Sequence, residues 1–177
     1  RLPRGLRTLL SAAWLQLHKN DAAIYLSTRQ ELTMTIQHFY DPATFTLTYL
    51  VFDPATRDAV VIDPVLDYEP GGSQTSTKSV EAVAAAVEQQ GLTLHYVLET
   101  HAHADHISGS QYLRSRFGAK VAIGARITEV QDTFKALFDL PGDFPTDGSQ
   151  FDHLIQDGEI LRAGSLPVRA LATPGHT

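Results

Sequence analysis

Residues 99–106, Glu99-Thr100-His101-Ala102-His103-Ala104-Asp105-His106, hold three of the chain's eight histidines within six positions. Imidazole and carboxylate are the side chains that bind divalent transition metals when thiolate is absent. The segment follows the apolar run Tyr96-Val97-Leu98, so it sits where a strand ends. Ligands of α/β sheets gather at that edge. In an extended chain His101 and His103 point to one side, because strand side chains alternate. Asp105 and His106 then fall in the turn into the next helix and face a second position close by. Ala102 and Ala104 leave the site uncrowded. Four candidate ligands in one strand-to-helix turn predict a metal site.

Further residues belong to the same reading. His176, in Thr173-Pro174-Gly175-His176-Thr177, is the natural additional ligand, because Pro174 and Gly175 make a tight turn that can project it to the same edge. Asp63, at a strand end before Pro64, either orients a ligating histidine from behind or simply forms an Asp-Pro turn. Thr100 and Ser108 read as cap or turn residues within hydrogen-bonding reach of the site. Glu99 reads as a polar strand residue packed behind the motif, without a catalytic role. His38, His95 and His153 have no partner legible in the sequence and read as solvated or structural.

These residues need a scaffold, and the pattern supplies one from Met34 onward. Residues 46–52, rich in β-branched and aromatic types, read as a strand, followed by a turn at 53–58 and a second strand at 59–62. A polar loop spans 66–77. Val80, Val83, Ala84 and Val87 recur at helical spacing, so 79–90 is a helix with Gly91 as its stop. A buried strand at 94–98, a helix at 107–117, a strand at 119–123 and a helix at 126–138 follow. The last helix puts Ile127, Val130, Phe134, Leu137 and Phe138 on its apolar face. After a loop at 139–150 come two strand-like runs near 159–162 and 166–172. Strands alternating with helices predict an α/β layered domain over 34–177.

Composition sets the outer bounds. The chain has no cysteine, which excludes disulfide scaffolds, Cys-ligated zinc or iron–sulfur sites and thiol catalysis. No apolar run approaches the ~20 residues that a spanning helix needs. Residues 1–33 carry five Lys/Arg against two Asp/Glu, whereas the remainder carries nine against eighteen. An acidic body argues against nucleic acid as a partner, since phosphate binding needs a basic face. Residues 1–33 read as a non-domain extension with Met34 as the natural start; a targeting segment and a docking helix are the competing readings. The expected location is cytoplasmic, with no membrane partner and with a homodimer as one possible assembly.

The His-x-His-x-Asp-His pattern at 101–106, followed some 70 residues later by Pro-Gly-His-Thr at 174–177, resembles the metallo-β-lactamase superfamily. The resemblance spans 36–177. It implies an αβ/βα sandwich with metal at the sheet edge, of which this chain would hold only the N-terminal portion. Residues 101–109, 62–68, 127–131 and 146–152 are similar to the persulfide dioxygenase branch, and most of all to bacterial forms named β-lactamase hydrolase-like proteins. The resemblance implies that His101 and His176 are two of three ligands of a mononuclear Fe(II), the third being an aspartate expected beyond Thr177. His103, Asp105 and His106 would be a second metal position or supporting residues. The implied reaction converts glutathione persulfide, O₂ and water to glutathione and sulfite. Arg114 and Arg116 would either attract the anionic glutathione or form a solvated helix face. The alternative is a glyoxalase II-like hydrolase of glutathione thioesters. In it one or two zinc ions are held by His101, His103, Asp105, His106 and His176. Without the second βα half, these 177 residues alone are expected to bind metal weakly, turn over poorly and leave one sheet face open.

Overall fold

The computed structural model describes residues 34–173 and residue 175. The described residues fall in the second of two units of the chain, 33–177. The expectations for residues 1–33 and for His176 lie outside the described residues. The second unit is built on a six-stranded sheet in the order β1-β2-β3-β6-β8-β9. Its strands are β1 (Thr35–Asp41), β2 (Thr46–Phe52), β3 (Asp58–Ile62), β6 (Thr93–Glu99), β8 (Lys120–Gly124) and β9 (His153–Ile155). The pairs β1/β2 and β2/β3 are antiparallel, and β3/β6, β6/β8 and β8/β9 are parallel. Parallel neighbours require crossovers, and these contain helices α1 (Lys78–Gln89), α2 (Ser110–Phe117) and α3 (Ile127–Leu137).

The helical spacing of Val80, Val83, Ala84 and Val87 turns one stripe of α1 onto the sheet, where all four are buried. They pack with Leu113 of α2 against Leu50, Phe52, Ala59, Val61, Leu94, Val97 and Val121 of the strands. The other sheet face meets a hairpin of β10 (Ile160–Ala163) and β11 (Leu166–Arg169). Leu161, Ala163 and Leu166 of the hairpin cover Val60, Leu98 and Ala122. Toward the β1–β2 edge of the same face, Ile36, Tyr40 and Leu47 stay exposed.

Several expected elements change. The loop expected at 66–77 holds two short strands, β4 (Val65–Glu69) and β5 (Gln74–Ser76), joined as a hairpin. Asp67 on β4 accepts the Ser79 amide at 2.8 Å and the Ser79 hydroxyl at 2.6 Å, satisfying one of the open N–H groups of the first turn of α1. The helix expected from 107 begins at Ser110, because Ile107–Ser108 forms strand β7 paired with Leu66 and Val65. Gly109 then donates to the Pro64 carbonyl at 2.7 Å. A Cβ at position 109 would meet Val80 Cγ2 at 2.9 Å, so only glycine allows this approach. Strands β1 and β9 have no counterpart in the sequence reading. The β1 strand shows little alternation in sequence because apolar Ile36 and Tyr40 lie on its exposed face while polar Gln37 and Asp41 lie on its covered one, and β9 is three residues long. On α3 only Ile127 is buried, while Phe134, Leu137 and Phe138 are exposed. The period that marks a helix does not say whether another element lies over its apolar face.

The β10–β11 turn is tied to the sheet by Asp58. Its carboxylate accepts the Ser165 amide at 2.8 Å and bonds His95 Nε2 at 2.6 Å. A Cβ on Gly164, which has positive φ, would fall 2.4 Å from Asp58 Cγ. The Ser165 amide and then the His95 ring hold the Asp58 carboxyl well below the usual carboxylate range. A depressed folded pKa contributes stability above the unfolded value of about 4 and loses it as pH falls below that. Asp58→Asn is therefore expected to cost about 1 kcal/mol at neutral pH. In urea unfolding the gap to the parent protein should narrow as pH drops from about 4. A gap that is constant from neutral to acid pH counts against this account.

Candidate metal centre

The centre forms at the C-terminal ends of β3 and β6, which run parallel with Ile62 opposite Leu98. One residue further, the Asp63 amide donates to the Leu98 carbonyl at 2.9 Å, and its own carbonyl accepts the Thr48 hydroxyl at 2.7 Å. Asp63 has φ of 50°, a left-handed backbone that Asp tolerates better than most side chains. That turn points its carboxylate back at the segment after β6. There it accepts the Thr100 amide at 2.8 Å, the Thr100 hydroxyl at 2.8 Å and His103 Nε2 at 2.9 Å. Asp63 thus ties the end of β3 to the histidine segment through these three hydrogen bonds.

The three histidines converge, but by a different route from the expected one. The chain leaves strand geometry after Glu99, so alternation does not place His101 beside His103. A folded loop does so instead. The His101 and His103 rings lie 4.1 Å apart between centroids, as do those of His103 and His106. Asp105 Oδ1 lies 3.0 Å from His106 Nδ1 and 3.7 Å from His103 Nδ1. Donor atoms of His103, Asp105 and His106 fall within 4.8 Å of one another, and so do those of Asp63, Glu99 and His103.

Hydrogen-bond direction then assigns a lone pair to each ring. A carboxylate only accepts, so the Thr100 hydroxyl proton goes to Asp63. His101 Nδ1, 2.8 Å from Thr100 Oγ1, must then donate its N–H to that oxygen, which leaves the lone pair on Nε2. By the same logic His103 Nε2 and His106 Nδ1 donate to carboxylates, so a metal would meet His103 at Nδ1, displacing the second proton that the ring's carboxylate partners favour, and His106 at Nε2. Among the described residues, the buried His106 Nε2 has no hydrogen-bond partner. A buried, unpaired imidazole nitrogen in a group with the Asp105 carboxylate and the His103 imidazole fits a metal ligand set.

Electrostatics agree with a site built for a cation. Burial lowers the His103 pKa, but the hydrogen bond to Asp63 and the nearby Glu99 carboxylate outweigh it and raise it to about 9. Asp63 is pushed up by burial, yet its bonds from His103 and Thr100 hold it below the ordinary carboxylate range. Asp105 is likewise held low by its own amide and by His106, against a desolvation penalty.

Three residues gain roles that the sequence did not assign. Thr100 relays Asp63 to His101. Glu99, buried at the end of β6, faces His103 Nε2 at 3.3 Å. Ser108 donates to Glu99. The available signal was an acid closing an otherwise apolar strand. The remaining polar residues are structural. His95 pairs with Asp58 and His153 with Glu159, the latter at 2.7 Å, so both have partners that the sequence did not reveal. Arg114 and Arg116 are tied to Asp152 and Glu88.

Comparison with known proteins follows the same lines. Residues 41–177 match the family model of the metallo-beta-lactamase superfamily. A Burkholderia pseudomallei protein named a probable metallo-hydrolase is 47% identical over 81% of this chain and 49% of its own length. The human mitochondrial persulfide dioxygenase ETHE1 is 32% identical over 80% of this chain and 44% of its own. The crystal structure of ETHE1 from Myxococcus xanthus superposes with a TM-score of 0.58 at 34% identity, covering 81% of this chain and 50% of that one. The chain thus spans about half the length of these relatives.

Proposed function

The chain belongs to the metallo-β-lactamase superfamily, whose members are typically metal-dependent enzymes, and we propose that it forms the metal-binding part of a persulfide dioxygenase. The substrates in this reading are glutathione persulfide and O₂, and the products are glutathione and sulfite. The observation that carries it is the Asp63–Thr100–His101 relay. It fixes one imidazole with its lone pair on Nε2 and does so without using His103, Asp105 or His106. A mononuclear site needs one such ring, joined in this proposal by His176 and a carboxylate. Bound Fe(II) held by two histidines and a carboxylate would supply open positions for a thiolate-type sulfur and O₂, and the redox change for oxygen transfer.

The chain's own residues set the surroundings. Asp63 keeps both His101 and His103 in one tautomer each. Ala102 and Ala104, between the histidines and the aspartate, add little bulk. Atoms balance with one water: the terminal sulfur of the persulfide is oxidised to sulfite, O₂ is reduced, the S–S bond breaks and the thiol leaves as glutathione.

A second reading has its own observation. The donors of His103, Asp105 and His106 lie within 4.8 Å of one another, the arrangement a second metal ion would need. That supports a two-zinc hydrolase of glutathione thioesters, in which a metal-activated water attacks the carbonyl. Elemental analysis with an oxygen electrode separates the two. For the whole protein, with the second βα half and its carboxylate, the expected result is one iron per chain and O₂ uptake on glutathione persulfide. Two zinc ions per chain, with thioester cleavage and no O₂ uptake, would sink the dioxygenase reading.

A further inference from the structure

Glu99 is a carboxylate closing a strand whose preceding residues, Val97 and Leu98, are buried and apolar. Removing a carboxylate from water is costly unless it is fully paired. Its pairing is one-sided. The Oε1 atom accepts the Ser108 hydroxyl, and Ser108 Oγ in turn accepts the Ser110 amide at 3.0 Å. Among the described residues Oε2 has no hydrogen bond and no contact with solvent. His103 Nε2 lies 3.3 Å from it, and that nitrogen also lies 2.9 Å from Asp63 Oδ1. Both oxygens facing Nε2 are acceptors, so Nε2 holds the proton between two carboxylates. Asp63 alone would satisfy a single N–H. The second carboxylate is therefore surplus to hydrogen bonding and places a buried negative charge directly behind the histidine cluster.

We propose that Glu99 is a positioning residue of the metal centre. Together with Asp63 it pins the Nε2–H edge of His103, leaves Nδ1 facing Asp105 at 3.7 Å and supplies negative charge that favours a divalent cation there. The His103 ring lies tilted against both His101 and His106, with centroids 4.1 Å apart, so its orientation constrains theirs. Ser108 holds the Glu99 rotamer from strand β7, which links the site to the β4 pairing. This inference rests on reading the cluster as a metal centre.

Glu99→Gln tests it. The amide keeps the shape and can still accept from Ser108, but it then turns an N–H toward the His103 N–H. Outer partners of metal-binding histidines are worth about 10- to 100-fold in affinity. Competition titration of the purified protein with Zn(II) and a chromophoric chelator should show about a tenfold weaker affinity. The melting temperature of the metal-free protein should not fall, since a buried charge without a hydrogen bond is removed. The His103 Nε2–H proton resonance should shift. Ser108→Ala should weaken Zn(II) in the same direction by a smaller factor, and it carries the test if Glu99→Gln does not fold. Unchanged affinity in both variants, with the Nε2–H resonance unmoved, overturns the role of Glu99. A parent protein that binds no Zn(II) overturns the metal reading itself, a different and separately visible result.

Discussion

His101→Ala is expected to leave the protein without bound metal, whereas His103→Ala should keep most of its iron. The two rings are neighbours in sequence and in space, yet their hydrogen bonds differ. His101 is bound through Nδ1 to Thr100, and Thr100 to Asp63, so its lone pair sits on the ring edge away from the carboxylates. His103 spends its Nε2–H on Asp63 and faces Glu99 with the same edge. Removing a direct ligand should cost more than the roughly 10- to 100-fold loss typical of an outer partner. His101→Ala should therefore lose more than about 100-fold in metal affinity and all measurable O₂ uptake. His103→Ala should fall within the outer-partner range. Metal content by elemental analysis, followed by competition titration, reads both. Equal loss of metal in the two variants would favour the two-zinc reading, in which both rings are ligands.

Asp63→Ala should be the most destabilising substitution at the site, even in metal-free protein. Three donors end on this carboxylate: the Thr100 amide, the Thr100 hydroxyl and His103 Nε2. Its side chain is only 16% exposed, so the donors cannot simply turn to water. Breaking a buried ion pair from one side typically costs about 3–5 kcal/mol. Alanine is also less tolerant than aspartate of the left-handed backbone at this position, where φ is 50°. Asp63→Asn tolerates that backbone and keeps an acceptor, so it should cost only about 1–2 kcal/mol. Urea unfolding of metal-free protein measures the difference. Unfolding free energies of Asp63→Ala and the parent that agree within about 1 kcal/mol would show that the carboxylate does not organise the loop.

The buried strands and α1 were legible in the sequence because burial imposes a period. Val60 and Val61, Val97 and Leu98, and Val121 and Ala122 lie in β3, β6 and β8, and the Val80–Val83–Val87 stripe lies on α1. The edge strand β1 was not legible, because apolar Ile36 and Tyr40 face solvent while polar Gln37 and Asp41 lie on the covered face, so residue type does not follow burial. The start of α2 was misread for a related reason. Ile107–Ser108 has helical neighbours in sequence, but it pairs with β4, a segment some forty residues earlier.

The candidate ligands themselves were evident from residue type and spacing, since a metal site needs specific atoms and the chain places His101, His103, Asp105 and His106 within six positions. Their arrangement was not evident. Strand alternation predicted that His101 and His103 align; a loop beyond the strand aligns them instead. What holds that loop comes from distant segments: Asp63 after β3, with its left-handed backbone, and Ser108 on β7, which pairs with β4. Sequence determined which ligand atoms are available, because chemistry belongs to residue types. Only the tertiary structure decided which nitrogen of each imidazole carries the proton. That depends on the acceptor that faces it, and these carboxylates reach their rings by packing and backbone geometry that no local pattern encodes.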